Sequence, residues 1–158
     1  MKKYRDAVFI LTYAQTEKGI RYLILRRKLH WVGWEFPKGG VKFLDFTKPR
    51  TVKRELKEET GLKPIEIEEF DICGKYYYEK EFKDRRGFKG QSFKLFVVKV
   101  EQGKVRLDKR EHSAYGWATY AQAVKKLTWR NQRDCLMKVN KYLTENQKVE
   151  EKLEKTGS

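Results

Sequence analysis

The hydrophobic pattern predicts an α/β or α+β domain, and three features carry that reading: an alternating hairpin at the start, one capped helix followed by further alternating segments, and helical periodicity near the end. Residues 7–13 and 22–25 are rich in Val, Ile, Leu, Tyr and Phe, and the turn-prone stretch 15–19 between them predicts a β-hairpin. Residues 31–40 read as a loop, with Trp31, Trp34 and Phe36 to anchor it and glycines that let backbone approach a ligand or a strand. The clearest helix is 47–60. Thr47 suits its cap, Pro49 its first turn, Val52 and Leu56 recur at i and i+4, and Gly61 stands where it stops. Three strands are expected at 65–73, 75–82 and 92–100, with a basic turn before the last. Short extended pieces at 105–107 and 115–118 lead into helices at 120–127 and 129–143, the second carrying Leu136, Val139 and Leu143 on one stripe. Residues 1–143 thus form the expected domain. Residues 144–158, with three lysines against four glutamates and few apolar side chains, are expected to be a polar helix end or a flexible tail.

The 158 residues include 39% hydrophobic and 14% aromatic side chains, enough for one real core and too many for wholesale disorder. Lys and Arg number 37 against 22 Asp and Glu, a net charge of +15 that predicts attraction to polyanions. No apolar run approaches the roughly 18 residues of a membrane span, so a cytoplasmic protein without a membrane partner is expected, as a monomer or small homo-oligomer. Cys73 and Cys135 lie too far apart for metal-ligand spacing and read as small buried hydrophobes.

Within the capped helix, Glu55, Glu58 and Glu59 stand at i, i+3 and i+4 and project from neighbouring positions. Their mutual repulsion on a solvated helix costs only about 0.2–0.5 kcal/mol per pair, so energetics alone would allow a plain charged face. The surrounding residues argue otherwise. Gly40, five residues, Phe46, seven residues and then RELKEETGL (54–62) resembles the Nudix box, G-x5-E-x7-R-E-U-x-E-E-x-G-U, and departs from it only at Phe46. Counted from Gly39 instead, Asp45 takes the place of the first acid, with eight residues before Arg54.

The likeness extends beyond the box. GWEFPKGG (33–40) is similar to the family's lead-in, and Gly90-Gln91-Ser92-Phe93-Lys94-Leu95-Phe96 resembles a G-Q-x-x-K-x-F strand of the branch holding RNA pyrophosphohydrolases and plant-type dinucleoside polyphosphate hydrolases. Residues 111–117, EHSAYGW, are similar to a segment of diadenosine tetraphosphate hydrolases. The resemblance implies an α/β/α sandwich with a mixed, curved sheet, the box helix on one face and the C-terminal helices on the other.

It also implies a chemistry. A polyphosphate carries negative charge to its own cleavage site, and water attacks poorly unless a metal positions and acidifies it. Mg²⁺, or alternatively Mn²⁺, is the implied cofactor, with Glu55, Glu58, Glu59 and Glu111 as ligands. Arg54 would brace a glutamate from behind, and Glu58 and Glu111 are the two candidates for general base. Lys38, Gly39, Gly40 and Lys94 are candidate phosphate contacts. Strand alternation sets Tyr76 and Tyr78 on one face as candidate base-stacking groups, whereas a lone turn histidine such as His112 is read as a local hydrogen-bond partner.

Three functions compete. The first is Mg²⁺-dependent asymmetric hydrolysis of diadenosine tetraphosphate-like dinucleoside polyphosphates; the second removes pyrophosphate or a cap from RNA 5′ ends; the third is a Nudix-fold module that binds RNA or nucleotide without turnover.

Overall fold

Alternation in the first residues builds a hairpin that forks. The computed structural model describes residues 2–157, in which β1 (Lys3–Thr16) turns through Glu17 and Lys18 into β2 (Gly19–Arg27). Gly19 opens β2 at φ +104°, a conformation that costs glycine little. The two strands pair only near the turn, at residues 13–16 with 19–22. Towards its start β1 pairs instead, at Ala7, Val8 and Phe9, with the short β4 (Lys38–Gly40), while β2 pairs with β3 (Gly33–Glu35) and β7 (His112–Ala118). The amide of Ile10 bridges the split by donating to the Pro37 carbonyl at 2.8 Å. On its other edge β1 runs parallel to β6 (Phe88–Lys99), which pairs antiparallel with β5 (Glu66–Tyr77). The result is a mixed, open seven-stranded sheet.

Period-2 burial gives that sheet two apolar faces, and each takes a helix. Val8, Ile10, Phe96 and Val98 pack against Val52 and Leu56 of α1 (Lys48–Thr60). Phe9, Leu11, Phe93 and Leu95 face α2 (Tyr120–Lys126) and α3 (Arg130–Thr156), which contribute Ala123, Leu136 and Val139. This is the expected three-layer sandwich. Thr47 caps α1 by accepting from the Arg50 amide, and Gly61 ends it in the left-handed region, its amide donating to the Lys57 carbonyl.

Several boundaries differ from expectation. The strands expected at 65–73 and 75–82 merge into one, β5, because Gly74 continues it, with the Phe93 ring where a Cβ on Gly74 would point; it ends at Tyr77, so residues 78–82 are not strand. The register slips between Glu69 and Cys73, which keeps one strand in place on a twisted partner. Residues 105–107 form no strand: Val105 packs on Leu23 and Leu25, and the Arg106 amide donates to the Thr60 carbonyl. The loop expected at 31–40 contributes both β3 and β4. Cys135 is buried as expected, but Cys73 is exposed, since it lies on the outer strand β5. No helix among the described residues is long and apolar enough to cross a membrane.

Leu56 is fully buried between α1 and the sheet. Leu56→Ala should lower unfolding free energy by about 2–5 kcal/mol, read as a shifted urea midpoint.

Candidate active site

The helix period decides which glutamates turn inward. On α1, Glu55 and Glu59 are one turn apart and buried, whereas the Glu58 side chain is half exposed. Glu55 fits because β4 passes beneath it as glycine: a Cβ on Gly39 would overlap the Glu55 carboxylate, and one on Gly40 would overlap the Arg5 guanidinium on the other face. The double glycine therefore gives two charged groups room on opposite sides of one strand.

Arg54 ties the acids together. It binds Asp45 with both arms of its fork, Nε to Oδ1 at 2.7 Å and Nη2 to Oδ2 at 2.9 Å. Its Nη1 donates to Glu55 at 2.8 Å and to Glu58 at 3.2 Å, and Nη2 also donates to the Gly40 carbonyl at 2.9 Å. Asp45 accepts further bonds from the Lys42 amide and the Thr51 hydroxyl, both at 2.8 Å. Asp45, the acid reached by the count from Gly39, thus faces Arg54, and the chain reverses at Phe46. There the chain makes a γ-turn, φ +63° and ψ −42°, closed by the Thr47 amide donating to the Asp45 carbonyl at 2.7 Å. Asp45 points inward and Phe46 into solvent.

Behind this lattice lies a second acidic group. Glu59, Glu111 and His112 each offer a ligand atom within 4.8 Å of the others. Burial pushes the Glu59 carboxyl well above its ordinary value, and Glu55, Glu111 and Glu35 push it the same way. Burial raises Glu55 too, over the opposing pull of Arg54. Carboxylates crowded at the cost of their own ionisation, with oxygen donors, fit a divalent cation. His112 is fully buried at the start of β7 and not in a turn, and its Nε2 faces Glu35 at 3.2 Å, a long-range partner and not a local one.

Glu35 is the hub on the far side. It accepts from Arg27 at 3.2 Å and from the Trp31 indole at 3.3 Å, and Lys38 lies 3.6 Å away. Burial alone would raise its carboxyl, but Lys38, His112 and Arg27 together bring it down to about 2. Burial drives the Lys38 ammonium down to about 8, against the pull of Glu35. Lys38 also joins the acids to an aromatic cavity of about 330 Å³, lined by Phe9, Trp31, Tyr76, Tyr78, Phe82 and Trp129 among others. Its amide donates to Glu59 at 3.3 Å, while its Nζ sits 4.5 Å from the Trp31 ring centre and 3.4 Å from the Tyr76 hydroxyl. Beside the cavity two guanidiniums converge on the Gln91 side-chain oxygen, Arg5 and Arg85, each at 3.4 Å. Arg85 also donates to the Tyr78 hydroxyl, and neither arginine has a carboxylate partner among the described residues.

The NUDIX domain family model matches residues 3–139. The chain belongs to the NUDIX family. An 8-oxo-dGTP diphosphatase of Buchnera aphidicola subsp. Schizaphis graminum is 34% identical over 98 residues, covering 61% of this chain and 65% of that protein. An RNA pyrophosphohydrolase of Marinomonas sp. is 40% identical over 72 residues, 46% of this chain and 40% of that protein. The chain therefore spans less than two thirds of the length of either relative. A Caenorhabditis elegans Ap4A hydrolase, solved as a binary complex, shares the fold with a TM-score of 0.70 at 23% identity, covering 89% of this chain and 98% of that one.

In this NUDIX domain the sequence-selected residues fall into two groups and one outlier. Arg54, Glu55, Glu58, Gly39 and Gly40 assemble around Asp45, with Glu59 and Glu111 beside them; Lys38, Tyr76 and Tyr78 line the cavity. Lys94 stands apart. It shares a register row with Val8 and Gly39, roughly 10 Å from Gly39 by strand spacing, and its ammonium pairs with Glu69 at 3.8 Å and Asp71 at 3.6 Å instead of entering the cavity. Residue patterns did not single out Arg5, Glu35, Arg85 or Trp129, which meet here from separate segments; only the aromatic density of 31–36 hinted at Trp31.

Arg54→Ala should free three carboxylates at once and weaken Mn²⁺ binding about 10–100-fold in a calorimetric titration. Arg54 beside Asp45 holds that carboxyl well below the usual carboxylate range. Its stabilisation is therefore complete above the unfolded value near 4 and is lost as pH falls through the folded one. The gap in melting temperature between wild type and Asp45→Asn should be widest near neutral pH and close in acid.

Proposed function

We propose that this chain is a Mg²⁺-dependent hydrolase of nucleoside polyphosphates that acts on diadenosine tetraphosphate-like dinucleotides. The observation that carries it is the adjacency of an acidic cluster and an aromatic cavity, joined through Lys38, with Arg5 and Arg85 beside them on Gln91 and without carboxylate partners among the described residues. Glu55, Glu58, Glu59 and Glu111 would hold the cation, which would lower the pKa of a water and offset phosphate charge. Mn²⁺ suits the same oxygen donors.

The chain's own residues do the rest. Arg5, Arg85 and Lys38 hold non-bridging phosphate oxygens, the two arginines being placed where an anion relieves their mutual repulsion. Tyr76, Tyr78, Trp31 and Trp129 enclose a base and tolerate its identity, because every base presents a π-face. Arg54 touches no substrate; it fixes the direction of Glu55 and Glu58. Glu58 or Glu111 takes the proton of the attacking water, the bond to the leaving phosphate breaks, and a nucleoside monophosphate and triphosphate depart. Lys94, held by Glu69 and Asp71, adds to the field and not to a contact. A cytoplasmic setting, where nucleotides and magnesium abound, suits this reading.

A second reading, removal of pyrophosphate from RNA 5′ ends, is favoured by the relative named an RNA pyrophosphohydrolase and by the net charge of +15. A competition assay with Mg²⁺ decides between them, offering diadenosine tetraphosphate and a short 5′-triphosphate RNA together. Preference for the dinucleotide supports the first reading, and preference for RNA with steep salt dependence the second. Turnover of neither would make the chain a binding module. Whichever of Glu58→Gln and Glu111→Gln loses about 10²–10⁴-fold in kcat with metal binding retained identifies the base. Trp129→Ala should raise KM about tenfold with little change in kcat, since stacking acts on bound and reacting substrate alike.

A further inference from the structure

The loop between β4 and α1 carries an apolar surface that the site above does not use. Phe43 is 90% exposed, Leu44 76% and Phe46 73%, yet Asp45 between them is only 6% exposed. Large apolar side chains clustered in solvent mark an interaction surface. These cannot fold inward, because Asp45 is pinned by Arg54, Thr51 and the Lys42 amide. The γ-turn fixes them further: Phe46 holds a positive φ that a bulky residue adopts only at a cost and glycine adopts freely.

The exposed charge on the loop and the start of α1 is mostly positive, Asp6 being paired with Lys48 at 3.9 Å. Lys42, Arg50 and Lys53 are exposed, Arg50 lies 5.8 Å from the Phe46 ring centre, and the first turn of α1 contains no acid. Cations at a helix N-terminus oppose the helix dipole, so this arrangement is not one that helix stability favours. Aromatic rings interleaved with arginine and lysine suit a strand that offers bases to stack on and phosphates to pair with. An anionic bilayer suits it less, since it offers phosphates but no flat bases for the exposed Phe43 and Phe46 rings to stack on.

We infer that Phe43, Leu44 and Phe46, with Lys42, Arg50 and Lys53, form a docking platform for the body of a single-stranded RNA whose 5′ phosphates occupy the acidic site. The inference rests on the second reading of that site, as a hydrolase of RNA 5′ phosphates. A strand leaving the carboxylates crosses the Asp45 loop, and its second and later nucleotides stack there without touching the reacting atoms.

The test compares wild type with the Phe43→Ser/Phe46→Gly double variant, whose glycine accepts the turn and leaves Asp45 on Arg54. Each hydrolyses, with Mg²⁺, a 5′-triphosphate dinucleotide and a 5′-triphosphate 12-mer that begins with the same two nucleotides. Expected is a fall of about tenfold or more in kcat/KM on the 12-mer, with less than a twofold change on the dinucleotide. An unchanged 12-mer rate, or equal losses on both, overturns the platform while leaving the hydrolase reading standing. If neither substrate is cleaved, the hydrolase reading fails by itself, and fluorescence anisotropy with a 5′-hydroxyl 12-mer decides the platform: weaker binding by the variant supports it, equal binding overturns it. Loss of sedimentation with phosphatidylserine vesicles while RNA binding is unchanged would assign the loop to a lipid surface and also overturn it.

Discussion

Arg54 is the interaction on which the rest of the site depends. Its guanidinium spends its donors inside the protein, on Asp45, Glu55, Glu58 and the Gly40 carbonyl. Three carboxylates so close would scatter in water, because each gains more from solvent than from its neighbours. A rigid fork with several donors gives each a fixed partner, and lysine, a single mobile ammonium, could not serve all of them. By including the Gly40 carbonyl the same fork anchors helix α1 to strand β4. The acidic cluster and the sheet edge are thereby one mechanical unit.

Lys38 performs the complementary task on the other side. Its backbone amide holds Glu59 and its side chain enters the aromatic cavity, so a single residue connects the acids to the place for a base. The buried Glu35 offsets the cost of burying that ammonium, and Arg27 and His112 in turn hold Glu35 ionised. Charge in this core is balanced locally, with acids and bases alternating through it. Arg5 and Arg85 break that alternation, and this imbalance is why they read as places for an anion.

Much of this was legible in the residues alone. Thr47 and Gly61 bound α1 where their chemistry says they should, and Glu55, Glu58 and Glu59 follow from helix period. Tyr76 and Tyr78 both reach the cavity, Tyr76 from β5 and Tyr78 from just past the end of that strand. Asp45 was visible only as an alternative register, since residue counting cannot tell whether a loop absorbs one extra residue. Arg5, Glu35, Arg85 and Trp129 were illegible because their meaning arises from long-range neighbours: Arg5 meets Gln91 only because β1 and β6 run in parallel. Nothing in the sequence carries a strand through Gly74; the Phe93 ring lying where its Cβ would point is what lets β5 continue.

The γ-turn at Phe46 has a consequence for evolvability. It turns the chain between an inward carboxylate and an outward ring, so the direction of one side chain is set independently of the next. Selection can then alter the solvent-facing side chains on either side of Asp45 without paying for each change in the geometry of the acids. The exterior of the loop becomes free to explore new partners, while its one inward side chain conserves the chemistry beneath.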